Sequence, residues 1–164
     1  MNNIVLATGE TVLIDPEDYA YLSQFKWWKR KDYNMIYARR RYFENGKEHQ
    51  IQMHRDIMKC SDEMQIDHIN GNGLDNRKIN LRICNNAQNQ QNRNKQKKGD
   101  PSSKYKGVTF SKNRKKWQAQ IRINGKYKYL DSFENEIDAA IAYDKAAIKY
   151  FKEFANPNIL QIAV

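Results

Sequence analysis

The chain has 164 residues, with 29 Lys or Arg against 19 Asp or Glu, a formal net charge of +10. That length allows one ordinary domain or two or three small ones, and hydrophobic residues at 40% support a modest core. No apolar run approaches the roughly 18 residues of a membrane span, and two cysteines, Cys60 and Cys84, exclude a disulfide scaffold and a four-cysteine zinc site. The first ten residues carry no Lys or Arg ahead of their short apolar stretch, so no secretory signal is read there and a cytoplasmic setting is expected.

Residues 1–52 read as β-rich. Ile4-Val5-Leu6 and Thr11-Val12-Leu13-Ile14 flank a Thr8-Gly9-Glu10 turn. Asp15 as N-cap and Pro16 in the first helical position predict a short helix to Leu22. Phe25, Trp27, Trp28 and the run Met35-Ile36-Tyr37-Ala38 suggest two more strands, and Asn45-Gly46 predicts a hairpin turn between Tyr42-Phe43 and Ile51-Met53. This part presents no chemistry by itself.

Residues 53–94 carry the dense polar segment Asp67-His68-Ile69-Asn70-Gly71-Asn72-Gly73-Leu74-Asp75-Asn76-Arg77, then Asn80-Leu81-Arg82-Ile83-Cys84. An Asn/Gln-rich stretch follows, with a candidate helix capped near Asn85. Residues 95–103, rich in Lys, Gln, Gly and Ser, read as a flexible linker. Residues 104–158 read β-β-β-α. The strands are Tyr105 to Phe110, Trp117 to Ile123 and Tyr127 to Leu130, with a turn at Asn124-Gly125. An amphipathic helix from Glu134 to Phe151 has Ile137, Ala140, Ile141, Ala147, Ile148 and Phe151 at helical spacing.

The charge is concentrated. From Arg93 to Leu130 there are 13 Lys or Arg and one acid, a local net of +12, while the remainder of the chain nets −2. A polyanion partner explains such a block better than a general need for solubility.

Phosphodiester hydrolysis needs a divalent cation on the scissile phosphate, a base for water and groups that hold the backbone. Adjacent Asp67 and His68 serve one centre only where the strand ends, since strand neighbours point to opposite faces. Gly71 and Gly73 permit a tight loop after them, and an Asn carbonyl such as that of Asn89 is a hard oxygen ligand. A zinc site from Cys60, Cys84 and His54 is conceivable but lacks any Cys-x-x-Cys pair. Singly, His49 and His54 read as structural.

Asp67-His68-Ile69-Asn70-Gly71-Asn72, Leu74-Asp75-Asn76-Arg77, Asn80-Leu81-Arg82, Asn89 and Asn92, led in by Met53-His54-Arg55-Asp56-Ile57-Met58, together resemble the HNH homing endonucleases of phages and mobile introns. The resemblance implies a ββα-metal motif holding Mg²⁺ or Mn²⁺. Asp67 and Asn89 would be the metal ligands, the latter where other members carry His. His68 would be the general base and Asn80 would orient it through a hydrogen bond. Asp75 and Asn76 would brace the loop, Arg77 would lie near phosphate, and His54 would support the site.

In the last part, Lys116, Gln118, Gln120 and Arg122 share one strand face, and Trp117, Ala119, Ile121 and Ile123 the other. Gln pairs with adenine and Arg with guanine, so the polar face suits base reading in a major groove. Tyr105-Lys106-Gly107-Val108, Lys116 to Arg122, Tyr129-Leu130-Asp131-Ser132-Phe133 and Ala139 to Ala147 resemble the AP-two/ethylene-response-factor DNA-binding domain, which also occurs fused to HNH nucleases. Lys106 stands where that family usually has Arg, Tyr129 where it often has Trp, and Asp131 where it often has Gly. By position the resemblance implies DNA contacts at Lys106, Gln120, Arg122 and Tyr129. Trp117 reads as a packing residue.

The expected class is therefore α+β: a β-rich N-terminal part, a ββα nuclease motif, then a three-stranded antiparallel sheet on one helix. The expected function is metal-dependent cleavage of double-stranded DNA by a phage-encoded protein in a bacterial cytoplasm, acting as a monomer or weak dimer. The rival readings are a catalytically inactive, sequence-specific DNA-binding protein, a single-strand RNA binder and a basic interaction scaffold.

Overall fold

Local sequence chemistry explains most of the elements seen in the computed structural model, which describes residues 3–32, 35–92 and 102–160. Most of the predicted linker at 95–103 lies outside the described residues. The chain divides into two compact units, Met1–Asn89 and Gln90–Val164.

In the first unit, β1 (Asn3–Val5) and β2 (Thr11–Leu13) form a hairpin. α1 (Pro16–Leu22) begins with Pro16, as the sequence predicts, but Asp15 makes no side-chain cap bond. Its carboxylate instead accepts the Lys78 backbone N–H at 2.7 Å, sixty-three residues away. β3 (Trp28–Asp32), β4 (Met35–Glu44) and β5 (Lys47–Gln52) make an antiparallel sheet in the order β3-β4-β5. Asn45 and Gly46 turn the second hairpin with φ of 51° and 73°, the positive values that favour this pair. Met53 does not extend β5 as expected; it starts α2 (Met53–Met58) and is fully buried. Ile4, Leu6, Val12, Ile14, Leu22, Trp27, Ala38 and Met53 form the core of this unit.

β6 (Gln65–His68) and β7 (Leu81–Cys84) pair antiparallel, and α3 (Asn86–Asn92) follows, giving a ββα motif. Asn85 caps α3 reciprocally: its Oδ1 accepts the Gln88 N–H and the Gln88 Oε1 accepts the Asn85 N–H, both at 2.9 Å.

In the second unit β8 (Val108–Ser111), β9 (Lys116–Ile123) and β10 (Lys126–Phe133) form a sheet in the order β10-β9-β8, packed on α4 (Glu136–Phe151). The first strand begins three residues later than predicted. Gly107 has φ +70°, and a Cβ there would lie 2.1 Å from the Tyr143 ring and 2.4 Å from the Gln120 carbonyl; the chain turns at Gly107, whose carbonyl accepts the Gln120 N–H at 2.8 Å, and the regular strand starts at Val108. Ala119 and Ile121 face the helix, against Ala140, Tyr143 and Ala147. Asp144, fully buried, accepts backbone N–H bonds from Asn158, Ile159 and Leu160 at 2.6–2.9 Å and ties the segment after α4 to the helix.

Candidate active site and basic sheet faces

Asp67 and His68 are the last two residues of β6, facing Arg82 and Leu81 across the ladder. Alternation sends them to opposite faces, so Asp67 shares a side with Gln65 and His68 with Ile66. Asp67 is buried, and its Oδ2 accepts from Arg82 Nη2 at 2.6 Å and Nε at 2.9 Å. Asn89 of α3 donates through Nδ2 to Gln65 Oε1, which lays Asn89 along the Asp67 side of the hairpin. Its amide is thereby oriented, and among the described residues nothing donates to Asn89 Oδ1.

Asp67 and Asn89 thus offer one carboxylate and one amide carbonyl. That pair of hard oxygens is of the kind Mg²⁺ takes while keeping water and substrate oxygens for its other positions. Among the described residues no group of three or more His, Cys, Asp or Glu is gathered to hold a metal ion. The alternative of zinc on Cys60, Cys84 and His54 therefore lacks an assembled set. Burial, then the Asp67 charge, pushes the Cys84 thiol up to about 11.

His68 is 2% exposed. Its Nε2 lies 3.2 Å from Asn76 Oδ1. The Asn76 Nδ2 points to the Gly73 carbonyl at 3.5 Å, so the end facing His68 is the oxygen, which only accepts. That amide orientation assigns the proton to Nε2, which in the neutral ring leaves Nδ1 as the basic nitrogen. Burial lowers the His68 pKa against the opposing effects of Asn76, Asp67 and Asp75, keeping the ring neutral. His54 stands edge-on to it at 4.9 Å between centroids, its own pKa pushed down to about 3 by burial first and by His68 and Arg55 next. Tyr37 of β4 covers both rings, at 5.5 Å from His54 and 5.8 Å from His68.

The expected bond from Asn80 to His68 is replaced by the one from Asn76. Asn80 closes a 3-10 turn (Lys78–Asn80), and its side chain lies across the neck of the loop. There its Oδ1 accepts the Asn70 N–H at 3.0 Å and its Nδ2 donates to the Asp75 carbonyl at 2.8 Å. Asp75, 2% exposed, takes two bonds from Arg77, each 2.7 Å, and one from Asn70 Nδ2 at 2.9 Å. The Arg77 guanidinium holds the Asp75 carboxyl below its usual range. Arg77 is thus engaged with Asp75 while its side chain stays 44% exposed.

The β1–β2 hairpin anchors this loop. Leu13 N–H donates to the Leu74 carbonyl at 2.9 Å, and Asn76 N–H to the Leu13 carbonyl at 2.8 Å. Gly73 passes so close to β4 that a Cβ would sit 2.4 Å from the Ile36 carbonyl. Tyr37 and Arg82 are the site residues without an assigned role in the sequence reading, and Gly73, read there as loop-forming, also makes the close approach to β4. Arg82 had a signal in the Asn80-Leu81-Arg82 segment of the motif, whereas nothing local marks Tyr37.

On the C-terminal sheet, β9 shows the predicted split. Gln120 and Arg122 are exposed while Ala119 and Ile121 are buried. In register, Tyr129 stands opposite Gln120 and Tyr127 opposite Arg122, and the Arg122 guanidinium lies 5.5 Å over the Tyr127 ring. Tyr129 is 51% exposed and shares a 2.7 Å hydrogen bond with Ser132. Trp117 packs against Phe110 at 5.0 Å, on the helix side of the sheet. Lys106 is half-buried before Gly107, and burial lowers its pKa to about 8 against the opposing charge of Asp144.

The first unit has a basic face of its own. Lys26 to Gln52 hold eight Lys or Arg against three acids, a local excess hidden in the chain-wide balance by acids elsewhere. Arg39 stands opposite Trp28 in register, Arg41 lies 5.7 Å over the Trp28 ring, and both arginines share a β4 face with Tyr37.

Residues 59–91 match the model of a family described as HNH endonuclease. Over 158 residues, 92% of this chain and 75% of the relative, the sequence is 31% identical to an uncharacterised HNH endonuclease of Acanthamoeba polyphaga mimivirus. A separate region is similar to plant proteins. It is 47% identical over 49 residues to APETALA2-like protein 2 of Oryza sativa subsp. indica, covering 30% of this chain and 11% of that protein. It is 45% identical over 49 residues to an AP2-like ethylene-responsive transcription factor of Arabidopsis thaliana, covering 30% of this chain and 10% of that protein. The chain spans about a tenth of the length of these plant relatives.

Proposed function

The chain belongs to the HNH endonuclease family, and from that membership we propose that it is a metal-dependent homing-type endonuclease that hydrolyses phosphodiester bonds in duplex DNA. The observation that carries the reading is a buried His68, next in sequence to Asp67, whose Nε2 faces Asn76 Oδ1 at 3.2 Å. Asp67 and Asn89 would hold Mg²⁺ or Mn²⁺, which supplies charge stabilisation at the phosphate and the leaving oxygen. His68 Nδ1 takes the proton from water, and Asn76 accepts from the opposite nitrogen and supports the imidazolium that forms. Tyr37 and His54 wall the ring and hold its orientation.

The outward C-terminal sheet face binds the duplex, with Gln120 and Arg122 reading base edges and Tyr127 and Tyr129 flanking them. This assignment draws on the similarity of that region to AP2-type transcription factors. One centre per chain makes a monomer a nicking enzyme and leaves a double-strand break to a dimer. A phage-encoded protein acting inside a bacterial host suits such an activity.

The test is conversion of supercoiled plasmids carrying random inserts to nicked or linear form, with and without Mg²⁺, for the native protein and His68→Ala. Metal-dependent cutting lost in His68→Ala is the expected result. Tight duplex binding with no cutting anywhere in the library refutes the nuclease reading in favour of an inactive DNA-binding protein.

A further inference from the structure

Arg82, paired with Asp67, is the part of the candidate centre that the proposed chemistry leaves unused. Both side chains are well shielded, at 7% and 14% exposure, and two guanidinium N–H groups converge on Asp67 Oδ2, the nearer at 2.6 Å. The two residues are direct ladder partners on β6 and β7, so the backbone register itself holds them together. A carboxylate this buried needs a counter-charge at all times. In this arrangement Arg82 supplies it.

A divalent ion on the same oxygen competes with the guanidinium held there at 2.6 Å, because the two cations repel at contact range. Loading an ion on Asp67 Oδ2 therefore works against the Arg82 bond. Asn89 lies on the same side of the hairpin through its bond to Gln65 and offers the ion a second oxygen. Arg82 is a long side chain rooted at the edge of that same face, and its planar fork is matched to phosphate oxygens.

Resting on the metal-dependent reading above, we propose that Arg82 is the resident counter-ion of Asp67, exchanged for the divalent cation when the centre is loaded, and that the displaced guanidinium then engages the phosphate to be cut. Arg82 has two successive roles. It holds the empty ligand in place, and it positions the substrate once the ligand is occupied. This predicts opposite effects on ion binding and on cleavage, which a merely structural brace would not produce.

The experiment is Mn²⁺ binding to the full chain without DNA, followed by paramagnetic resonance or calorimetry, together with plasmid cleavage at saturating Mn²⁺. Asp67→Asn abolishes ion binding. Arg82→Gln binds Mn²⁺ about tenfold more tightly than the native protein, since a charge-assisted bond no longer competes, and cleaves at least about tenfold more slowly. Arg82→Lys keeps the charge without the fork and binds Mn²⁺ much as the native protein does, while cleaving more slowly. Equal or weaker ion binding by a folded Arg82→Gln overturns the proposal.

Should Arg82→Gln fail to fold, the native protein still decides. The Arg82 Nε–H resonance shifts and saturates with Mg²⁺ in the native chain and stays fixed in Asp67→Asn. A resonance unmoved at saturating Mg²⁺ overturns the exchange. Failure of the underlying reading looks different: the native protein then binds neither Mn²⁺ nor Mg²⁺ at all.

Discussion

Asn76→Ala tests the reasoning about the candidate base most directly. Asn76 is fully buried, and it joins His68 Nε2 at 3.2 Å to the Gly73 carbonyl at 3.5 Å. Truncation leaves a buried imidazole N–H without an acceptor, at a cost of about 1–3 kcal/mol. Each kcal/mol lowers the melting temperature of a unit of 89 residues by roughly 4–8 °C, so the first unit should melt roughly 4–24 °C lower. The side-chain tautomer should also lose its preference. In the native protein, ¹⁵N-edited spectra of the His68 imidazole should show the proton on Nε2, and in Asn76→Ala a mixture of Nε2–H and Nδ1–H. Cleavage should fall by about a hundredfold, within the range general-base catalysis supplies. Asn80→Ala is the control: it loosens the loop at Asn70 and Asp75 but leaves the His68 tautomer unchanged. In a double-mutant cycle with His68→Ala, the Asn76 substitution should cost about 1 kcal/mol less than it does alone. A native proton on Nδ1, or a tautomer that responds to Asn80→Ala and ignores Asn76→Ala, would refute the assignment.

Three further outcomes are expected. Gly73→Ala drives a Cβ to 2.4 Å from the Ile36 carbonyl and 2.8 Å from the Tyr37 ring, so thermal melting should show a loss of about 1–3 kcal/mol, with cleavage impaired through Tyr37. Lys106, lowered to about 8 from its ordinary 10.5, binds its proton less readily in the folded chain than in the unfolded one. Stability should therefore rise with pH between about 8 and 10.5. The advantage of Lys106→Met over the native chain in thermal melts should be largest below pH 8 and vanish above 10.5; an advantage independent of pH refutes the burial argument. Arg122→Ala should cost about 1–3 kcal/mol of discrimination at one base position of the bound duplex, measured by competition among sequence variants, whereas a uniform loss across all sequences would make Arg122 a phosphate contact.

Much of the C-terminal unit was legible from its residues. Alternation along Lys116 to Ile123 separates the two faces because a strand has period two, and Asn124-Gly125 leaves one short way to turn. The nuclease motif was legible as a set of spaced polar residues, and Asn85 as the cap of the helix that carries Asn89. Its internal bonding was not. Asn76 and Asn80 are both asparagines beside a tight loop, and nothing in the order of residues says which amide turns to His68.

The sequence by itself determined the element types, the turn positions, the faces of β9 and the residues from which a nuclease centre could be built. These depend on propensities and periodicities that act within a few residues. Tertiary structure alone decided the pairings. Tyr37 covers His68 from a strand thirty-one residues earlier. Asp15 turns from capping its own helix to hold Lys78, and Asp67 meets Arg82 across a ladder. Lys106 is half-buried next to Gly107, which approaches Tyr143 too closely for any side chain. Such partners are selected when distant segments are packed together and every buried polar group must find an acceptor or a charge, a condition that no local pattern contains.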